Sequence, residues 1–270
     1  MTLPYAEVIG DPIAQSKSPV IHKFWLEKLG IAGDYRKTHI TTDGLEAFFR
    51  DRAADPAWKG CNVTVPHKQA VIRFVEDRGG VGDSIGAMNT VIRLDDGTLI
   101  GTNTDAAGFY GPIADLDLVG RDVVVIGAGG AARAVLFALS RAAVGEVTIL
   151  NRTRETGVEL LRHFGLKGKV LPLDAPIPPA ALIVNASTLG MTGAPDFDPD
   201  LSDQPDDCVV YDIVYAPLQT ALLAEAEAQG LETVDGLAML IGQAAVAFEL
   251  FFDREPPRLF DEELRKLLTA

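Results

Sequence analysis

The chain has 270 residues, nearly half of them apolar, enough for one large domain or two modest ones with a substantial core. Its 24 Lys and Arg against 38 Asp and Glu leave a formal net charge of −14, which argues against non-specific binding to nucleic acid or anionic membranes. Cys61 and Cys208 form no CxxC pair, and His22, His39, His67 and His163 have no ligand spacing, so neither a disulfide scaffold nor a metal site is expected.

The N-terminus shows no basic region leading into an apolar run, so no signal peptide is expected. Residues 6–10 read as a short strand ending in the turn Gly10-Asp11-Pro12. Gln15-Ser16-Lys17-Ser18-Pro19 follows, with Ser18 as N-cap and Pro19 opening a helix through Ile21, Phe24, Trp25 and Leu29. Residues 35–40 alternate like a strand, and 44–53 read as a helix. Residues 61–65 form a strand with Asn62 and Thr64 on its polar face, Pro66 and His67 end it, and a helix is predicted over 68–75. Asn62, Thr64 and Lys68 therefore gather at the C-terminal end of a strand, where open α/β sheets bind ligands. Residues 87–93 and 98–101 read as a hairpin across Asp95-Asp96-Gly97. Asn103 or Thr104 then caps a helix whose first turn holds Asp105, by itself no more than a dipole partner.

Residues 122–152 carry the clearest signal. Val123-Val124-Val125-Ile126 suits a strand buried on both faces, Gly127 to Ala132 follow at once, a helix is predicted over 131–142, and Val147 to Leu150 read as a second strand. This is a βαβ unit of dinucleotide-binding length. Gly127 permits the tight turn, Ala128 separates it from Gly129, Gly129 lets backbone approach a pyrophosphate, and the helix N-terminus offers N–H groups to phosphate. Asn151-Arg152-Thr153-Arg154 closes the second strand without the carboxylate that would bond a ribose 2′-hydroxyl; arginine here favours NADP over NAD.

The segment 172–179 reads as a loop between strands. Residues 180–186 form another buried strand, and Ser187 to Met191, Thr188 included, form its loop, placed to face the nicotinamide end of a cofactor. Residues 208–215 are a strand, 220–229 a helix and 232–234 a last short strand before Asp235-Gly236. Helices are predicted over 238–252 and 261–268; the apolar stretch 237–252 carries Gln243 and Glu249 and is too short to span a bilayer comfortably. The expectation is a cytoplasmic two-domain α/β protein: residues 1–104, completed by 237–270, and a Rossmann-like doubly wound domain over 105–236.

Ser16-Lys17-Ser18-Pro19, Asn62 to Lys68, Gly86 to Thr90, Asn103 to Gly108, Gly127 to Ala131, Asn151-Arg152-Thr153 and Gly236 to Gln243, in this order, resemble shikimate dehydrogenases along the whole chain. The resemblance implies NADPH-linked reduction of 3-dehydroshikimate to shikimate, in aromatic amino acid biosynthesis. It implies an N-terminal substrate domain and an NADP-binding domain, with Lys68 and Asp105 as the catalytic pair. Ser16 and Ser18, with Tyr215 close by, would hold the substrate carboxylate; Asn62, Thr64, Asn89, Asp105 and Gln243 would bond the ring hydroxyls. The cofactor would meet Gly127, Ala128, Gly129, Gly130, Ala131, Asn151, Arg152, Thr153, Arg154, Thr188, Ile213 and Gly236. Many NADP-dependent members carry a second basic residue three positions after the threonine of Asn-Arg-Thr; here that position is Thr156, and Arg154 is the nearby alternative. The expected partner is a small molecule, with no nucleic acid, membrane or metal, in a monomer or homodimer. The competing readings are an NAD-dependent quinate/shikimate dehydrogenase and a catalytically silent NADP-binding regulator.

Overall fold

In the computed structural model, which describes residues 3–195 and 197–270, the chain divides into two α/β units, Met1–Thr104 with Ile241–Ala270 and Asp105–Leu240. The first runs β1 (Tyr5–Gly10), α1 (Ser18–Lys28), β2 (Asp34–His39), α2 (Leu45–Ala53), β3 (Trp58–Val63), α3 (Val81–Ser84), β4 (Thr90–Arg93) and β5 (Leu99–Thr102). Its sheet has the order β2-β1-β3-β4-β5; β1 pairs parallel with β2 and β3, and β4 runs antiparallel to both its neighbours. Every residue of β1 is buried, Glu7 included, because β1 lies inside the sheet and Glu7 accepts from Arg52 Nε at 2.7 Å.

The second unit begins with α4 (Asp105–Tyr110) and continues β6 (Val123–Ile126), α5 (Gly130–Arg141), β7 (Val147–Leu150), α6 (Arg154–His163), β8 (Gly168–Leu171), β9 (Leu182–Asn185), β10 (Val209–Asp212), α7 (Ala221–Ala228) and β11 (Glu232–Val234). Its sheet is parallel throughout, in the order β11-β10-β9-β6-β7-β8. This is the doubly wound arrangement, and the strand order reverses between β6 and β9, whose last residues Ile126 and Asn185 are paired. All residues of β6, β7, β9 and β10 are buried; β6 is accordingly apolar throughout, and the other three are apolar but for Thr148 within β7 and Asn185 and Asp212 at the ends of β9 and β10. Helix α8 (Gly236–Phe252) starts in this unit and from Ile241 belongs to the first, where α9 (Asp261–Thr269) follows. Ala247 and Phe251 of α8 pack with Ala6, Val8 and Tyr35, so the C-terminal helices complete the first unit's core.

Several elements differ from expectation. Ser18 is the first helical residue rather than the cap; Lys17 takes the N-cap position, and Ser18 N donates to Ser16 Oγ at 3.4 Å. The helix predicted over 68–75 is a turn followed by a 3₁₀ segment, Ala70–Phe74. The cause is tertiary: Met88 N takes the Lys68 carbonyl at 2.7 Å, so Ile72 N turns to Gln69 O. β3 ends at Val63, leaving Thr64 just beyond the ladder. Helix α6 and edge strand β8 had no sequence assignment. Among the described residues no helix is long and apolar enough to cross a membrane, and no three His, Cys, Asp or Glu side chains group as metal ligands.

Candidate functional site

The second unit holds a cavity of about 1090 Å³ at the switch point of its sheet. Its wall includes Gly127, Ala128 and Gly129 after β6, Asn151, Arg152 and Thr153 after β7, and Ser187, Thr188 and Leu189 after β9. Gly127 has φ +100°, and a Cβ there would stand 2.8 Å from Ser187 Cβ and 3.1 Å from Ser187 N, so only glycine fits between the two loops. Gly129 differs: it is the N-cap of α5 with extended φ −86°, no side-chain cap bond, and nothing within 4 Å of a built Cβ. The first N–H groups of α5 thus begin beside an open cradle, the environment an anionic pyrophosphate requires. Arg152 is exposed at this wall, and no carboxylate stands at the end of β7. The donor set fits a dinucleotide carrying a 2′-phosphate. Gly130 and Ala131 open α5, Arg154 opens α6, and Ile213 and Gly236 lie together near Val214; none of these five lines the cavity wall. The wall also contains residues that no sequence pattern singled out, among them Leu173, Ile177 and Phe197; the Pro-rich stretch after β8 was the one available signal.

A buried network pins the loop after β9. Asp212, fully buried at the end of β10, accepts from Asn185 Nδ2 at 2.9 Å, Thr220 Oγ1 at 2.7 Å and Val214 N at 2.9 Å. Asn185 Oδ1 in turn accepts from Ser187 N and Ser187 Oγ, and Leu189 N donates to Ser187 Oγ. Burial pushes the Asp212 carboxyl above its ordinary range, opposed by its bonds to Thr220, Val214 N and Asn185.

In the first unit the polar candidates join one another. Ser16 Oγ donates to Ser18 Oγ at 3.3 Å. Tyr35 Oη donates to Asn62 Oδ1 at 2.5 Å, and Asn62 Nδ2 donates to Thr90 Oγ1 at 3.0 Å. Thr90 Oγ1 donates to Asn89 Oδ1 at 3.0 Å, and Asn89 Nδ2 donates to Thr104 Oγ1 at 3.0 Å and to Gln243 Oε1 at 3.5 Å. Asn62, Asn89 and Gln243 are all buried, so each carboxamide must find partners inside the protein or in a ligand. Thr64 and Lys68 are half-buried in the turn after β3. Asp105, buried, and Tyr215, half-buried with its hydroxyl pKa raised by burial, belong to the second unit. The sequence reading missed Tyr35, Thr90 and Thr104, which look like ordinary strand and loop residues until their bonds to Asn62 and Asn89 are seen.

Residues 8–91 match the shikimate dehydrogenase substrate binding domain, 113–178 the shikimate / quinate 5-dehydrogenase family, and 236–259 the shikimate 5′-dehydrogenase C-terminal domain. A shikimate dehydrogenase (NADP(+)) of Sphingopyxis alaskensis is 64% identical over 267 residues, spanning 99% of this chain and 97% of that protein. The chain belongs to the shikimate dehydrogenase family. The solved shikimate 5-dehydrogenase of Thermus thermophilus, in complex with NADP(H) and shikimate, superposes with a TM-score of 0.87 at 35% identity, covering 98% of this chain and 100% of that one. The 5-ketofructose reductase of a Gluconobacter species superposes with a TM-score of 0.88 at 26% identity, covering 99% of both chains. The fold is thus shared by enzymes named for different substrates, and substrate choice must come from side chains.

Proposed function

We propose that this chain is an NADP-dependent shikimate dehydrogenase, interconverting 3-dehydroshikimate and shikimate in aromatic amino acid biosynthesis. The observation that carries the reading is the 64% identity to a shikimate dehydrogenase (NADP(+)) over 97% of that protein's length. The cradle of Gly127 and Gly129 would hold the pyrophosphate, and Arg152, with Thr153 and Arg154 beside it, the 2′-phosphate. When bound, NADPH supplies the hydride.

The chain's own residues do the rest. Ser16, Ser18 and Tyr215 bind the substrate carboxylate, and Asn62, Thr64, Asn89, Asp105 and Gln243 bind its hydroxyls. A site lined with neutral hydrogen-bonding groups suits a ring with one carboxylate and several hydroxyls, and rejects analogues that leave those groups unpaired. As negative charge grows on the ketone oxygen, the Lys68 ammonium stabilises it and delivers a proton; Asp105 orients Lys68. In the reverse direction the two take up that proton as one coupled unit. The residues 1–104 with 237–270 act as the substrate domain and 105–236 as the cofactor domain. Two buried free thiols, Cys61 and Cys208, accord with a reducing cytoplasm, and the reading draws no residue from a second chain, so a monomer or homodimer serves it.

The test is direct. The purified chain mixed with 3-dehydroshikimate and NADPH should consume both and yield shikimate, followed by nicotinamide absorbance and chromatography of the product. Absence of turnover with a properly folded sample would overturn the reading.

A further inference from the structure

The hydrogen bonds of the first unit have a direction, and one residue with no assigned role sets it. Thr104 N donates to Asn89 Oδ1 at 2.7 Å, which fixes which end of the Asn89 carboxamide is oxygen. The Thr90 hydroxyl proton then goes to that oxygen, so Thr90 Oγ1 is left to accept from Asn62 Nδ2. Asn62 must therefore turn its oxygen the other way, where it needs a donor. Tyr35 Oη is that donor at 2.5 Å. Tyr35 is fully buried on β2, its ring stacked on His22 with centroids 3.9 Å apart. Burial pushes its hydroxyl well above the ordinary range, Cys61 and Glu7 act in the same sense, and a hydrogen bond with the Ser18 side chain opposes them.

We infer that Tyr35 is a positioning residue for substrate recognition: its hydroxyl holds the oxygen end of the Asn62 carboxamide and completes the directed relay that runs from Thr104 through Asn89 and Thr90 to Asn62. This rests on the proposed function, in which Asn62 and Asn89 hold the ring hydroxyls. Without the hydroxyl, Asn62 Oδ1 loses its Tyr35 donor while Nδ2 stays tied to Thr90 Oγ1 and the Asn89 carbonyl, so a buried acceptor is left unpaired and the carboxamide is held less firmly.

The experiment is a double-mutant cycle on Tyr35→Phe and Asn62→Ala, reading kcat and KM for shikimate, KM for NADP⁺ and Tm. Tyr35→Phe keeps the ring on His22, and should raise KM for shikimate roughly tenfold, as expected for a lost buried hydrogen bond, with kcat within about twofold and KM for NADP⁺ unchanged. In the Asn62→Ala background Tyr35→Phe should add almost nothing to KM, because there is no carboxamide left to orient. A merely structural role would lower Tm without this split between substrates. Should Tyr35→Phe not fold, Thr90→Val breaks the relay from the other side and should raise KM for shikimate, while Thr90→Ser, which keeps the hydroxyl, should restore it. If Asn62→Ala raises KM and Tyr35→Phe does not, or if the two effects multiply independently, the inference is overturned and the functional reading stands. If neither raises KM in a wild type that turns shikimate over, the assignment of Asn62 to the substrate fails, and the role of Tyr35 with it.

Discussion

Gly127 and Gly129 make a matched pair of perturbations, because an added methyl costs the fold at one and only the ligand at the other. Gly127→Ala puts an L side chain at φ +100° and a Cβ 2.8 Å from Ser187 Cβ. Left-handed strain of about 1–2 kcal/mol and a backbone shift of about 1–3 kcal/mol give a loss of about 2–5 kcal/mol. For a protein this size that lowers Tm by roughly 5–15 °C. Gly129→Ala adopts φ −86° without strain and meets no atom within 4 Å, so its Tm should stay within about 2 °C of wild type. Its methyl nevertheless occupies the cradle beside the N-terminus of α5, and should weaken NADP⁺ binding by roughly 10- to 100-fold by holding the pyrophosphate off the backbone N–H groups. Thermal unfolding followed by dye fluorescence, and NADP⁺ titration by calorimetry, read the two quantities separately. Wild-type NADP⁺ affinity in a stable Gly129→Ala would refute the placement of the pyrophosphate at this cradle.

Arg152→Ala should raise KM for NADP⁺ roughly 5- to 100-fold, the worth of charged hydrogen bonds to phosphate, and leave KM for NAD⁺ nearly unchanged; because Arg152 is exposed, the gap should shrink at high salt, and equal losses for both cofactors would refute a 2′-phosphate contact. Lys68→Ala should lose roughly 10²- to 10⁴-fold in kcat while NADP⁺ still binds, measured by steady-state kinetics and calorimetry; near-normal turnover would remove Lys68 from the proton step. His22 is fully buried with neither ring nitrogen hydrogen-bonded, and burial lowers its pKa from 6.5 to about 3. Above pH 6.5 it is neutral folded or unfolded; as pH falls towards 3 the unfolded chain takes up a proton that the native state refuses, costing up to about 5 kcal/mol of stability. His22→Phe should move acid unfolding to lower pH, and an unchanged acid midpoint by circular dichroism would contradict this.

What the sequence displays and what it hides divide along physical lines. The βαβ unit was legible because Val123 to Ile126 is buried on both faces and therefore uniformly apolar, and because the φ of Gly127 is one that glycine readily takes. β8 was not, since Gly168 and Lys169 are exposed at a sheet edge and carry no apolar pattern. The turn holding Lys68 reads as helix by local pattern and is overridden by Met88, which takes its carbonyl. Tyr35 looks like an inward-facing strand residue, which it is; that its hydroxyl meets Asn62, 27 residues along, is a tertiary fact. The resemblance motifs named the residue types of the site, whereas only the folded chain gives the direction of the bonds among them.

The central claim is tested most directly by a four-way assay in which the purified protein receives shikimate or quinate with NADP⁺ or NAD⁺, and formation of reduced cofactor is followed. The account predicts strong activity with shikimate and NADP⁺ and little in the other three combinations. Comparable activity with quinate or with NAD⁺ would contradict the roles given to Ser16, Ser18 and Arg152, and no activity in any combination would contradict the enzyme itself.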